Sequence, residues 1–142
     1  MARSDPPLDE VLRLVARANR ERPGTGEAER ILEDLFGCSQ RLLVYGSLAP
    51  GEANHREVAS CRGTWRRVLV RGWKGMRRWP VFRCDPEAQA HDLLMLTSPD
   101  LPARWRRLDE FEGPEYRRIL APAFEGSDLL AVGNLYEALI PF

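Results

Sequence analysis

The chain is poor in the residues that build cross-links and metal centres. Its 142 residues include three cysteines and two histidines. Cys38, Cys61 and Cys84 are odd in number, widely spaced and form no C-x-x-C pair. They read as reduced thiols of a cytoplasmic protein, without disulfides. With only His55 and His91 to add, the usual metal-ligand spacing is missing, so no metal site is expected. No apolar run nears the roughly 18 residues of a membrane span. The opening "MARSDPPLDEVL" lacks the apolar centre of a secretory signal. Formal net charge is zero, which argues against a generic nucleic-acid binder, because such proteins need excess Lys and Arg to neutralise phosphates. The sequence has no G-x-x-x-x-G-K-[ST] phosphate loop and no G-x-S-x-G nucleophile elbow. It has no internal repeat and no low-complexity segment.

What is present suits a small globular fold: 44% of residues are hydrophobic, enough to offset the entropy of ordering one core. The chain divides by pattern into an N-terminal helical segment, 1–39, and a strand-rich remainder, 40–142. Residues 8–19 and 27–36 are predicted helices. Leu8, Val11, Leu12 and Val15 recur at helical spacing, with Asp5 as the candidate cap and Pro6 and Pro7 in the first turn. "RPGTG" then breaks the pattern, so Thr25 or Gly26 starts a second helix. Ile31, Leu32 and Leu35 form its apolar face and Gly37 its exit. The simplest role for this pair is packing on the core. The alternative is a partner-binding or homodimerising arm.

From residue 40 short apolar runs alternate with turn signals: "RLLVYGSL", "GTWRRVLVRGW", "WPVFRC", "HDLLMLT", "RRILAPAF" and "LLAVGNLYEAL". These read as six strands. A third helix is expected over "SPDLPARWRRLDEFEG", with Ser98 as N-cap, Pro99 in the first turn, Leu101, Trp105 and Leu108 on one face, and Gly113-Pro114 as the stop. Six short strands with flanking helices predict an α+β fold, a small, mixed but largely antiparallel β-barrel. Between Arg62 and Arg83 eight basic residues occur with no acidic one. A single-stranded nucleic-acid groove with Trp65, Trp73 and Trp79 as stacking platforms is one reading. Strand alternation, with arginines outward and tryptophans toward the core, is the preferred one.

Two stretches carry chemistry. In "LLVYGSLAPGEANHR" a strand ends in a Gly-Ser turn, whose N–H groups can hold a carboxylate or a developing oxyanion. Gly46 lets a ligand approach the main chain. Asn54 and His55 read as loop-fixing or rim residues. In "RRLDEFEGPEYRR" most charges form solvated pairs of small worth. Glu112 differs, because it ends an amphipathic helix directly before Gly113. The negative end of the helix dipole and partial burial both raise a carboxylate pKa toward the range of a general base. Tyr116 and Tyr136 are candidates for a further hydrogen bond, against the alternative of core tyrosines.

Together "VYGSLAPGEANHR" and "LDEFEGPEYRR" resemble the γ-glutamylcyclotransferase-like (AIG2-like) family, and most of all its γ-glutamylamine cyclotransferase branch. The resemblance spans roughly residues 40–138. It implies a mixed barrel flanked by helices. It implies that Tyr45, Gly46, Ser47 and Leu48 hold a γ-glutamyl group, largely through main-chain groups, and that Glu112 is the catalytic acid/base. The implied reaction releases 5-oxoproline from a small-molecule γ-glutamyl conjugate without a cofactor. No nucleic-acid or membrane partner is implied. "QAHDLLML" departs from the family pattern, placing Ala90, His91 and Asp92 where relatives often show a V.G.L strand. A non-catalytic binding module of the same fold, contacting a protein through its N-terminal helices, is the alternative function.

Overall fold

The computed structural model describes residues 6–22, 24 and 26–139. The suggested caps Asp5 and Thr25 lie outside them. Six strands, β1 (Arg41–Val44), β2 (Thr64–Met76), β3 (Pro80–Cys84), β4 (Ala90–Thr97), β5 (Tyr116–Glu125) and β6 (Asp128–Ala138), form one sheet in the order β3-β2-β4-β1-β6-β5. A further β2–β5 pairing, Leu69 with Phe124, closes five of them into a barrel. Only β1 and β6 run parallel; every other pair is antiparallel. The fold is α+β, a closed mixed barrel flanked by helices, as the strand and turn pattern predicts.

β2 serves two partners. Its first part, Thr64–Arg71, pairs with β4. Its second part, Gly72–Met76, pairs with β3 in a hairpin that extends past the barrel. Gly72 marks the change of partner. A Cβ there would lie 2.4 Å from the Arg83 carbonyl oxygen and 2.6 Å from the Phe82 ring, so a larger residue would force the hairpin off the core. Inside the barrel, Leu43, Val68, Phe82, Met95 and Leu135 are buried together, as expected where alternate residues of each strand face inward.

Helices cover two outer patches. α1 (Leu8–Glu21) and α2 (Glu27–Phe36) bury Val11, Val15, Ala18 and Leu32 against Leu120 of β5 and Val132 of β6. α1 is also pinned by polar contacts. The Asn19 amide accepts the Leu120 N–H at 2.8 Å and donates to the Leu120 carbonyl at 2.9 Å. α2 ends at Gly37, whose left-handed φ of 62° favours glycine.

The third helix starts later than predicted. A short 3-10 turn at Leu101–Ala103 comes first, and α3 runs Trp105–Glu112. Pro102 has no N–H to donate, so an α-helical ladder cannot begin at Ser98. Ser98 instead accepts the Asp100 N–H on its hydroxyl at 3.1 Å. Leu101, Trp105 and Leu108 do pack inward, against Leu42, Val44 and Leu96.

The tryptophans depart from the alternation expected of them. Trp65 packs partly buried against the α3 cluster, but Trp73 is 58% exposed and Trp79 42%. Trp73 lies on the β2 half of the hairpin beyond β4 and Trp79 in its turn.

Candidate active site

α3 ends at Glu112, and Gly113 turns the chain with φ 76°, a conformation that disfavours any side chain. The turn sends the chain back through Pro114 into β5. The same reversal brings Glu112 to the end of β1. A cavity of about 530 Å³ lies there, and its walls include Tyr45, Gly46, Ser47 and Leu48 on one side and Glu112 and Tyr116 on the other. Tyr136 and Asn54 also line it, and Trp79, Pro80 and Phe111 supply apolar wall. All seven site residues expected from sequence therefore meet in one cavity.

Its charged lining is acidic, Glu112 and Glu115. Among the described residues that line it there is no lysine or arginine. Among the described residues, no hydrogen bond or ion pair reaches the Glu112 carboxylate. Burial pushes its pKa up to about 7, because a desolvated carboxylate without a cationic partner resists ionisation. Burial likewise raises the phenols of Tyr45, Tyr116 and Tyr136, and the Glu112 charge adds to each shift. All three stay neutral donors.

Two of those phenols are committed. The Tyr45 hydroxyl donates to the Tyr136 carbonyl at 2.6 Å, and its ring packs on Phe82 with centroids 5.4 Å apart. Tyr136 donates to Asp109 Oδ1 at 2.7 Å, and Asp109 is held in turn by Arg118 at 2.9 Å. The Tyr116 hydroxyl accepts a hydrogen bond from the Trp79 indole N–H, and its own O–H is given to no acceptor among the described residues.

The Gly-Ser turn is braced from behind. Asn54 Nδ2 donates to Ser47 Oγ at 2.9 Å, the Asn54 N–H to the Ser47 carbonyl at 2.8 Å, and His55 Nδ1 meets the Leu48 carbonyl at 2.9 Å. Asn54 and His55 thus fix the loop, as read from sequence. The N–H groups of Gly46, Ser47 and Leu48 donate to no acceptor among the described residues. The cavity therefore offers fixed main-chain donors and one carboxylate of raised pKa. That pairing can bind a developing oxyanion and move a proton.

A family model described as gamma-glutamyl cyclotransferase, AIG2-like, matches residues 42–138. The chain belongs to this family. Solved structures share this fold at low sequence identity. An uncharacterized protein from Pyrococcus horikoshii is 16% identical with a TM-score of 0.57, over 71% of this chain and 79% of that one. YkqA from Bacillus subtilis is 18% identical at the same TM-score, but the match covers only 36% of its length against 71% of this chain. An AIG2-like protein from Mus musculus is 18% identical with a TM-score of 0.52, over 72% and 79%. No curated protein matches by sequence.

The sequence pattern does not single out Asp109, which lies behind the cavity and accepts the hydrogen bond of its lining residue Tyr136, although it stands one helical turn before Glu112, a spacing that places both on one face. Nothing in the sequence places Trp79, Pro80 or Phe111 at this cavity, although Trp79 stands out there as a candidate stacking platform. The first two reach the cavity only through the β2–β3 register. Among the described residues no cluster of His, Cys, Asp and Glu can hold a metal, and no helix is long and apolar enough to cross a membrane.

Proposed function

We propose that this chain is a γ-glutamylcyclotransferase-type enzyme that releases 5-oxoproline from a γ-glutamyl-amine or a related γ-glutamyl conjugate. The observation that carries the reading is the meeting, in one cavity, of an unpartnered Glu112 of raised pKa with the unpaired N–H groups of Gly46, Ser47 and Leu48. The substrate's α-amine attacks its own γ-carbonyl carbon and forms a C–N bond. Glu112 takes the proton that the amine loses. The carbonyl oxygen becomes an oxyanion, which the turn's N–H groups stabilise. When the oxyanion collapses, the bond to the substituent nitrogen breaks, and protonated Glu112 returns a proton to the leaving amine. The products are 5-oxoproline and the free amine, and no external group is consumed.

Nucleophile and electrophile share one molecule, so the protein's main task is to hold the folded conformer. Such orientation is worth about 7–11 kcal/mol of barrier. Tyr116 is the phenol with a donor to spare and supplies the further hydrogen bond in this scheme. A carboxylate with pKa near 7 is poised to accept and return a proton at neutral pH. Release of 5-oxoproline from a panel of γ-glutamyl conjugates, measured for the wild type and Glu112→Gln, tests the reading. Turnover by the wild type and its loss in the variant are expected. A wild type inactive across the panel ends the enzymatic reading. Activity kept by the variant removes Glu112 from the chemistry.

A further inference from the structure

The β2–β3 hairpin runs on beyond β4 and gathers exposed side chains of two kinds. Trp73 is 58% exposed, Met76 70% and Trp79 42%. These are three of the six large hydrophobic side chains left exposed among the described residues, and they fall within one seven-residue stretch. Lys74, Arg77 and Arg78 stand exposed between them. No acidic residue occurs from Arg62 to Arg83. The Lys74 and Arg78 side chains have no hydrogen bond or ion pair among the described residues. Other basic residues of the same stretch are paired, Arg62 with Asp100 at 3.1 Å and Arg66 with Glu125 at 2.8 Å.

The polar ends of the two tryptophans are already occupied. The Trp73 indole N–H donates to Asp85 Oδ2 at 3.1 Å, and that of Trp79 to the Tyr116 hydroxyl. Their exposed ring surface can therefore leave water without stranding a donor. Met76 ends β2, Trp79 lies in the turn that follows, and Trp73 stands three residues back along the strand. Seated end-on, the hairpin spans about 10 Å from Met76 to Trp73. Interfacial segments sink to a similar depth, about 5–10 Å, at the boundary of headgroups and acyl chains.

We propose that this hairpin docks the protein on an anionic membrane surface. Met76 and Trp73 enter the boundary layer, where tryptophan is favoured and apolar surface is removed from water. Lys74, Arg77 and Arg78 meet the anionic headgroups. The cations set the sign of the partner's charge, and the shape of the site separates partners of that sign. A single-stranded nucleic acid is held in a groove with rings set along its track. Here the apolar groups surround a protruding turn, and the most exposed of them, Met76, has no ring to stack on a base. A second copy of the chain would bring the same three cations to a two-fold contact, where like charges oppose each other.

Flotation of the full chain with two kinds of vesicle tests it: phosphatidylcholine alone, and phosphatidylcholine with about one third phosphatidylserine. The wild type is expected to bind the anionic vesicles at least about tenfold more tightly than the neutral ones, and added salt should weaken that binding. Trp79 lines the Glu112 cavity and is left in place. The double variants Lys74→Glu/Arg78→Glu and Trp73→Ser/Met76→Ser should each lower binding by about tenfold or more and keep a wild-type melting temperature. Arg13→Glu/Arg20→Glu makes the same change of charge at exposed positions of α1 and should bind like the wild type. Lipids brominated on their acyl chains should quench the tryptophan fluorescence of the wild type more than that of Trp73→Ser. No binding, binding that ignores lipid charge, or binding that both hairpin variants keep overturns the proposal. So does tighter binding to a single-stranded oligothymidine that the hairpin variants lose, which would assign the hairpin to nucleic acid. A dimer in sedimentation that the same variants dissolve would overturn it in favour of a second copy.

Discussion

Two helices meet the barrel in opposite ways. Where α1 docks on β5, each polar group between them is satisfied. Asn19 occupies both the N–H and the carbonyl of Leu120, and Arg22 forks onto Glu29 at 2.8 Å while donating to the Arg118 carbonyl at 3.0 Å. Where α3 ends at the cavity, a half-buried carboxylate and three backbone donors are left without partners among the described residues. The first junction has settled its hydrogen bonds and can only hold. The second keeps its capacity for a ligand, at a cost to stability.

The sharpest way to break this comparison is Glu112→Gln. It should lower 5-oxoproline release by about 10²–10⁴-fold, the range for losing a general acid/base, read by chromatography of the product. In the wild type, kcat/KM should rise with pH through about 7 as Glu112 ionises. The stability effect has the opposite sign to the activity effect. The folded pKa, about 7, lies above the ordinary value of 4.5. The protonated group's contribution is therefore complete below pH 4.5 and is lost as pH rises through 7. From that difference, the wild type should lose up to about 3 kcal/mol between pH 4.5 and 8 through this group. Glu112→Gln should not show that loss. Denaturant titrations at both pH values would check it, and parallel pH curves for the two proteins would contradict it.

At the other junction, Asn19→Ala should cost about 1–3 kcal/mol by stranding the Leu120 backbone groups, and the rate per folded molecule should stay at the wild-type level. A comparable loss of turnover would mean that α1 and the cavity are coupled. The smallest effect is expected at Tyr136→Phe. It deletes the bond to Asp109, which Arg118 still holds, and should cost about 0.5–1.5 kcal/mol in thermal unfolding.

Much of this was legible in the sequence, for identifiable reasons. Strand alternation and turn residues marked six strands, because each strand has one face in the barrel. Glu112 stood out because "FEG" ends an apolar helical face. The start of α3 was misread because cap and proline signals at Ser98-Pro99 looked sufficient, and Pro102 overrode them. Trp73 and Trp79 were misassigned because alternation says which residues share a face and does not say what covers it. Where β2 runs on beyond β4, Trp73 is left exposed. The Asp109–Tyr136 bond joins residues 27 apart in sequence, so no local pattern could announce it.

The strand order also sets a timetable. β1, which carries the Tyr45–Leu48 turn at its end, lies between β4 and β6, and β6 is the last of the described strands. On the ribosome, β1 can find β4 once that strand has emerged, yet its parallel partner, Asn134 against Leu42, follows only about ninety residues behind it. Contacts between such distant segments are slow to form. The cavity's two walls must therefore wait for the barrel to close. Until then the apolar faces of β1 and β4 stand open, and this interval is when a nascent chain is most exposed to misassembly.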